Sequence, residues 1–231
     1  MKKFPLPILP LPELVLFPHT VIPMLIVEPT YVKMIKDCIL TDQSIGVALA
    51  EPINDEKTIA KYTPQKVATM GKPVLLEELD DGSIKVLIRG EERIELLRVE
   101  QNIPYLIYQV RELPDIKESS QFHFDGPKIE RLKDILFQWL DDTVSDSVER
   151  DTFIDSLESL HHFIDYLSMF LVHDRSMRQL LLENCSLHER IQVLSTLLRG
   201  DYPDCEDEMV LEAIKEFEYG GTSEVYGKVV H

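Results

Sequence analysis

Residues 9–23 read LPLPELVLFPHTVIP, with proline at four of fifteen positions and large apolar side chains at most of the others. Proline removes a backbone donor and fixes φ, so this stretch cannot be a helix. Its apolar content is that of a core rather than a solvated linker. Both demands are met by a strand, a rigid turn and a second strand. Pro10 and Pro12 alternate with Leu9 and Leu11, as an edge strand with one unpaired side tolerates. Pro18 and Pro23 bracket the turn and the return into VIPMLIV at 21–27.

The same prolines bear on how the first residues read. Lys2 and Lys3 followed by apolar residues imitate a secretory signal, but Pro5, Pro7, Pro10 and Pro12 forbid the helical core such a signal needs. No run approaches the roughly 18 uninterrupted apolar residues of a membrane-spanning helix. Cys38, Cys185 and Cys205 are an odd number without regular spacing, as expected of reduced thiols. A bacterial-type cytoplasmic protein is the expectation. The net charge of −17 argues against nucleic acid, which is held by clustered Lys and Arg, and against an anionic membrane surface.

The rest of the first half is β-rich. Short runs of Val, Ile and Leu recur at 45–51, 72–79, 83–89, 93–99 and 104–110, separated by polar breaks. Gly82 in Asp80-Asp81-Gly82 can take the positive φ of a tight hairpin. Tyr31, Met34, Ile35 and Cys38 fall at helical spacing and predict one helix over 30–40. Six strands with one intervening helix suggest a small closed or half-closed barrel.

From about residue 117 the period changes. KESSQFHFDG is a polar connector, and Pro127 suits the first turn of a helix whose stripe is Ile129, Leu132, Ile135, Leu136 and Leu140, with Trp139 joining the core. Further helices are expected over 149–172, 175–184 and 186–199. The last opens on a capping box, Ser186 with Glu189, and stops at Arg199-Gly200. Beyond Gly200, eight acidic residues from Asp201 to Glu218 oppose only Lys215; a short helix over 207–218 is expected before Gly220-Gly221. The chain is thus read as α+β, with a barrel subdomain at 1–116, a helical subdomain at 117–200 and an acidic tail at 201–231.

Catalytic signatures are missing from the sequence. No G-x-x-x-x-G-K-[ST] loop, G-x-S-x-G elbow or H-E-x-x-H occurs among the 231 residues. Cys185 and His188 have half of a zinc spacing without a second pair. His161 and His162 are adjacent, about 100° apart on a helix, and cannot chelate one ion together; one buried and one exposed histidine is the reading. No metal and no cofactor is therefore expected, and no enzyme.

Three stretches resemble the N-terminal domain of Lon proteases. The first carries Pro7, Leu9, Pro10, Leu11, Val15, Pro18 and Pro23, with Met24 a conservative match. The second, DDGSIKVLIRGEERIEL, carries Asp81, Gly82, Ser83, Lys85, Val86, Leu87, Gly90 and Arg93. The third, LLLENCSLHERIQVLSTLL, carries Glu189, Arg190 and Leu194. They span about residues 4–199 in the family's order; Val67-Ala68-Thr69 departs from it where Gly-Thr is common. The resemblance implies a PUA-like β-barrel followed by a helical bundle, a substrate-recognition domain without the ATPase and protease domains of the full enzyme. Its partners would be unfolded or damaged polypeptide. An adaptor or regulator docking on a Lon-type protease or other partner is the alternative, with weak homo-oligomerisation also open. The candidate peptide-binding residues lie in the turn at 17–24: Phe17, His19, Val21 and Met24. The duller reading of those side chains is core, and of His19 a turn residue without chemistry.

Overall fold

The computed structural model describes residues 2–53, 62–117, 126–157 and 159–198; the expected tail helix at 207–218 lies outside them. Among the described residues seven strands come first, with one helix between them. They are β1 (Lys3–Leu11), β2 (Val21–Ile26), α1 (Pro29–Leu40), β3 (Ile45–Pro52), β4 (Tyr62–Pro64), β5 (Val67–Glu78), β6 (Ile84–Gln101) and β7 (Ile107–Glu112). Five helices follow: α2 (Gly126–Thr143), α3 (Ser147–Asp155), α4 (Leu160–Leu171), α5 (Arg175–Glu183) and α6 (Leu187–Leu197). The class is α+β, as expected.

The strand pairings close on themselves. β1 pairs β7, β7 pairs β6, β6 pairs β5, β5 pairs β3, and β3 returns to β1 in parallel register. All five strands contribute to one buried set, Leu6 and Ile8, Ala48, Ala68, Ile94 and Leu96, and Val110. Side chains thus fill the ring, as in other small barrels. β2 and β4 are appended, on β6 and β3 respectively.

Three sequence expectations are corrected here. β1 is not an edge strand: residues 3–7 pair β7 and residues 8–11 pair β3. The Ile8 N–H donates to the Leu106 carbonyl on the β7 side. Pro5 and Pro7, of opposite parity, therefore face away from β7, and Pro10 lies beyond the β7 pairing. None costs a ladder bond, and Pro12 lies past the strand end. The runs at 83–89 and 93–99 are one strand, because Gly90 between them marks a close backbone approach and not a turn. The helix expected over 149–172 is two, since Ser159 interrupts it and accepts a hydrogen bond from the His162 N–H to start α4.

Polar caps start four of the helices. Asp146, Ser159, Asp174 and Ser186 each accept a backbone N–H in the first turn of α3, α4, α5 and α6. Such a cap contributes about 1 kcal/mol. Gly82 sits at φ 86 in the β5–β6 hairpin, as its sequence context predicts. α4 is buried on every face from Phe163 to Leu171 and forms the axis of the helical half. Trp139 is buried and stacks on Phe170 with ring centroids 5.3 Å apart. A single apolar cluster runs from Leu9 in β1 through α1 to Leu198 beyond α6, so barrel and helices share one core.

Candidate functional site

The expected turn at 17–24 is assembled around backbone contacts. The Phe17 carbonyl accepts from the Thr20 N–H and, at 2.7 Å, from the Thr20 hydroxyl. His19 stands between them at φ 64, a left-handed conformation. Its N–H donates to the Gly90 carbonyl, and the Gly90 N–H donates to the Thr20 carbonyl at 2.8 Å. Thr69 Oγ1 donates to the Leu16 carbonyl from the neighbouring strand β5. The turn is therefore strapped to β5 and β6.

That strapping decides which side chains face outward. Phe17 and Val21 are in the core, at 0% and 1% exposure, Met24 is half-buried against it, and His19 is exposed. The four residues do not converge on one open surface. The His19 ring packs on His162 of α4 with centroids 4.3 Å apart. Although the residue as a whole is exposed, partial burial of its ring, then the nearby His162, Arg93 and His161, lower the His19 pKa to about 4. A histidine depressed in the fold takes up protons more readily when unfolded, so its contribution is present above pH 6.5 and is lost as pH falls toward 4. The His19→Asn variant keeps a residue type that tolerates positive φ and removes the titration. Its stability deficit relative to the parent chain should therefore shrink from pH 6.5 to pH 4 in chemical denaturation. A deficit constant across that window would contradict this assignment.

A second constellation ties the two halves together. Arg93 of β6 donates to Asp115 at 2.6 Å, to Asp165 of α4 at 3.2 Å and to the Leu182 carbonyl of α5 at 3.0 Å. Arg190 of α6 donates to the same two carboxylates, Asp165 at 2.5 Å and Asp115 at 2.7 Å. His161 completes the group, its Nδ1 lying 2.8 Å from Asp115. Burial pushes the Asp165 carboxyl up to about 6 against the pull of both guanidinium groups. At Asp115 burial acts the same way, but the His161 hydrogen bond, Arg93 and Arg190 outweigh it and hold the carboxyl below its usual range. This cluster joins elements, with Arg93, Asp165 and Arg190 buried and Asp115 and His161 at its outer edge. His161 and His162 are both half-buried and serve different partners, which corrects the expectation of one buried and one exposed.

An open groove of about 360 Å³ lies elsewhere, where β1, the β2–α1 junction, β4 and the β6–β7 turn meet. Tyr31, Tyr62 and Tyr105 wall it with Pro10, Ile103 and Pro104, and Glu28, Thr30 and Asn102 supply polar atoms. Burial, then Glu28 and Tyr62, raise the Tyr31 pKa to about 12, so its phenol stays neutral. Tyr105 donates to Asp37 at 3.3 Å, which fixes its ring from behind. Ile103 projects at the rim, 65% exposed. Nothing here pairs a nucleophile with a base. Among the described residues no group of three His, Cys, Asp or Glu could hold a metal ion. Burial raises the Cys38 thiol to about 11, which leaves it a core side chain. No helix among the described residues is long and apolar enough to cross a membrane.

The chain thus forms a filled barrel that shares its core with a helical bundle and bears an aromatic groove. The chain belongs to the family described as the ATP-dependent protease La (LON) substrate-binding domain, whose model matches residues 5–200. It is 26% identical to the Lon protease of Parabacteroides distasonis over 199 residues, covering 85% of this chain and 24% of that one. With the Lon protease of Flavobacterium johnsoniae it shares 26% identity over 186 residues, 80% of this chain and 22% of the relative. The chain thus spans about a quarter of the length of these curated relatives. Its fold is similar to a Lon N-terminal domain protein from Xanthomonas campestris, with TM-score 0.59 at 21% identity over 86% of this chain and 99% of that one. It is likewise similar to the N-terminal domain of Mycobacterium avium complex Lon protease, with TM-score 0.60 at 16% identity over 83% and 96% of the two chains.

Proposed function

We propose that the protein binds unfolded or damaged polypeptide in the tyrosine-walled groove and does not cut it. The observation that carries this reading is the convergence of Tyr31, Tyr62 and Tyr105 with Ile103 and Pro104 on one open surface. Tyrosines offer large, amphipathic contact area with only two side-chain torsions to immobilise. They favour an apolar chain without demanding one sequence. Tyr62 also belongs to β4, the last strand in the sheet order, whose only ladder among the described residues is with β3. A bound segment can therefore add main-chain hydrogen bonds to its side-chain contacts. Glu28 at the groove and the net charge of −17 favour basic and apolar segments over acidic ones. His19 plays no part in this contact.

Binding is measured by anisotropy of a labelled, reduced and alkylated unfolded polypeptide. Ile103→Asp should weaken binding by about tenfold, equivalent to ~1.4 kcal/mol, without lowering the melting temperature. Val148→Asp, at a residue 68% exposed on α3, should leave affinity unchanged. Equal affinity in all three proteins, or equal loss in both variants, would overturn the placement.

A further inference from the structure

The tyrosine-walled groove carries charge of one sign. Among the described residues that line it, Glu28 is the one with an ionised side chain. Glu28 is the N-cap of α1, and its carbonyl accepts from the Tyr31 N–H at 3.0 Å. The acidic side chain and the Tyr31 ring therefore belong to one helical turn, three positions apart and so neighbours on its surface. The Glu28 carboxylate does not cap α1. Tyr62 arrives from β4 and Tyr105 from the β6–β7 turn.

The rings add to that sign. The face of an aromatic ring carries the negative end of its quadrupole, so a wall of neutral phenols attracts a cation. The Tyr105 hydroxyl donates to Asp37, which pushes further electron density into that ring. Burial raises the Tyr31 phenol and Glu28 raises it further; burial and then Asp37 do the same at Tyr105. A surface that resists a new negative charge favours a positive one. Lys33 pairs with Asp37 at 3.0 Å and is not part of the lining. Three rings and a carboxylate around one opening meet the requirements of a cation–π site.

On the reading that this groove is the polypeptide site, we infer that it takes an arginine side chain of the bound chain, the guanidinium against the rings of Tyr31, Tyr62 and Tyr105 and beside the Glu28 carboxylate. Arginine fits better than lysine. Its guanidinium is planar, weakly hydrated and stacks on aromatic faces, whereas an ammonium holds its water. An apolar side chain fits less well, since covering Glu28 with it strips water from a carboxylate and supplies no partner. Ile103 and Pro104 receive the apolar neighbours of the arginine. The segment recognised is thus an extended one in which arginine stands among apolar residues.

Two short, labelled, unstructured peptides test this on the full chain. Apolar residues flank a central arginine in one and citrulline, its neutral isostere, in the other. By anisotropy the arginine peptide should bind the parent protein about tenfold more tightly. Tyr62→Leu should remove most of that preference, and Tyr62→Phe, which keeps the ring, should retain it. Glu28→Gln should reduce it several-fold. Asp151→Asn, the same charge change at an exposed position of α3, should leave it unchanged. Ile103→Ser removes apolar contact and no charge, so it should weaken both peptides alike. Equal binding of the two peptides, with both weakened by Ile103→Ser, would overturn the arginine site and leave the groove as the polypeptide site. A preference that survives Tyr62→Leu, or falls equally in Glu28→Gln and Asp151→Asn, would overturn it too; the latter would assign the preference to the net charge of −17. Affinity for both peptides untouched by Ile103→Ser would overturn the arginine site and the proposed function together.

Discussion

Arg190→Ala is expected to be among the most damaging single substitutions in the chain, costing about 3–5 kcal/mol. The side chain is fully buried and serves Asp115, Asp165 and His161. Its removal leaves Arg93 as the one guanidinium against two carboxylates, with the His161 ring bonded to Asp115, so buried negative charge is left undercompensated. For a domain of this size the loss corresponds to a melting temperature lower by on the order of 10 °C. The pair cannot be valued from that number alone, because truncating one partner mostly measures the charge left behind. The informative companion is Arg190→Met with Asp165→Leu. It removes one charge of each sign, keeps the Arg93–Asp115 pair at 2.6 Å, and refills the space with apolar atoms. It should recover a large part of the loss in urea denaturation. A double variant as unstable as Arg190→Ala would mean that the hydrogen-bond geometry, and not charge balance, holds the halves together.

Gly90→Ala is the second large effect, and it comes from a backbone contact. A Cβ at position 90 would lie 2.2 Å from the Phe17 carbonyl oxygen and 3.1 Å from the carbonyl carbon. That carbonyl cannot retreat cheaply, since it accepts twice from Thr20 and the turn is bonded to Gly90 on both sides of His19. Overpacking of this kind costs about 3 kcal/mol or more when backbone must move. Gly82→Ala is the contrast. Nothing lies within 4 Å of its added Cβ, and only its φ of 86 opposes a side chain. That variant should lose about 1–2 kcal/mol. Equal stability losses at the two glycines, measured by thermal denaturation, would contradict the steric account of Gly90.

These two sites explain why the sequence identified the family so much better than the binding surface. Gly90, Arg93 and Arg190 were recognisable as parts of family stretches, and the structure makes each of them an architectural residue. Gly90 admits the Phe17 turn. Arg93 and Arg190 clamp α4, α5 and α6 to the barrel. Their acidic partner Asp165 was not singled out, although it is the one charge in the apolar run FIDYLSMFL. Its pairing left no local signal, since the residues involved are 72 and 25 positions apart.

Periodicity located most of the elements and failed where local pattern is ambiguous. Apolar spacing continues across 156–159, so a helix break set by the Ser159 cap left no gap in it. Pro104 sits in a turn, and β7 starts three residues later than the apolar run 104–110 implies. In the turn at 17–24 the apolar residues that suggested a sticky loop are the ones the core absorbs, Phe17 and Val21, while His19 is held out by its left-handed backbone. The tyrosine groove was illegible for a different reason. Tyr31, Tyr62 and Tyr105 come from three separate segments, and only closure of the barrel brings them together. Ile103, 65% exposed within the turn NIPY, carries no sequence pattern that sets it apart from a core isoleucine.

The most direct test of that groove is contact. A benzophenone side chain is placed at Ile103 in one protein and at Val148 in another, each is irradiated with an excess of unfolded polypeptide, and the adducts are quantified. Polypeptide binding in the tyrosine groove predicts an adduct at position 103 that unlabelled polypeptide suppresses, with background labelling at 148. Equal labelling at both positions, or none at 103 under conditions where anisotropy reports binding, would contradict it.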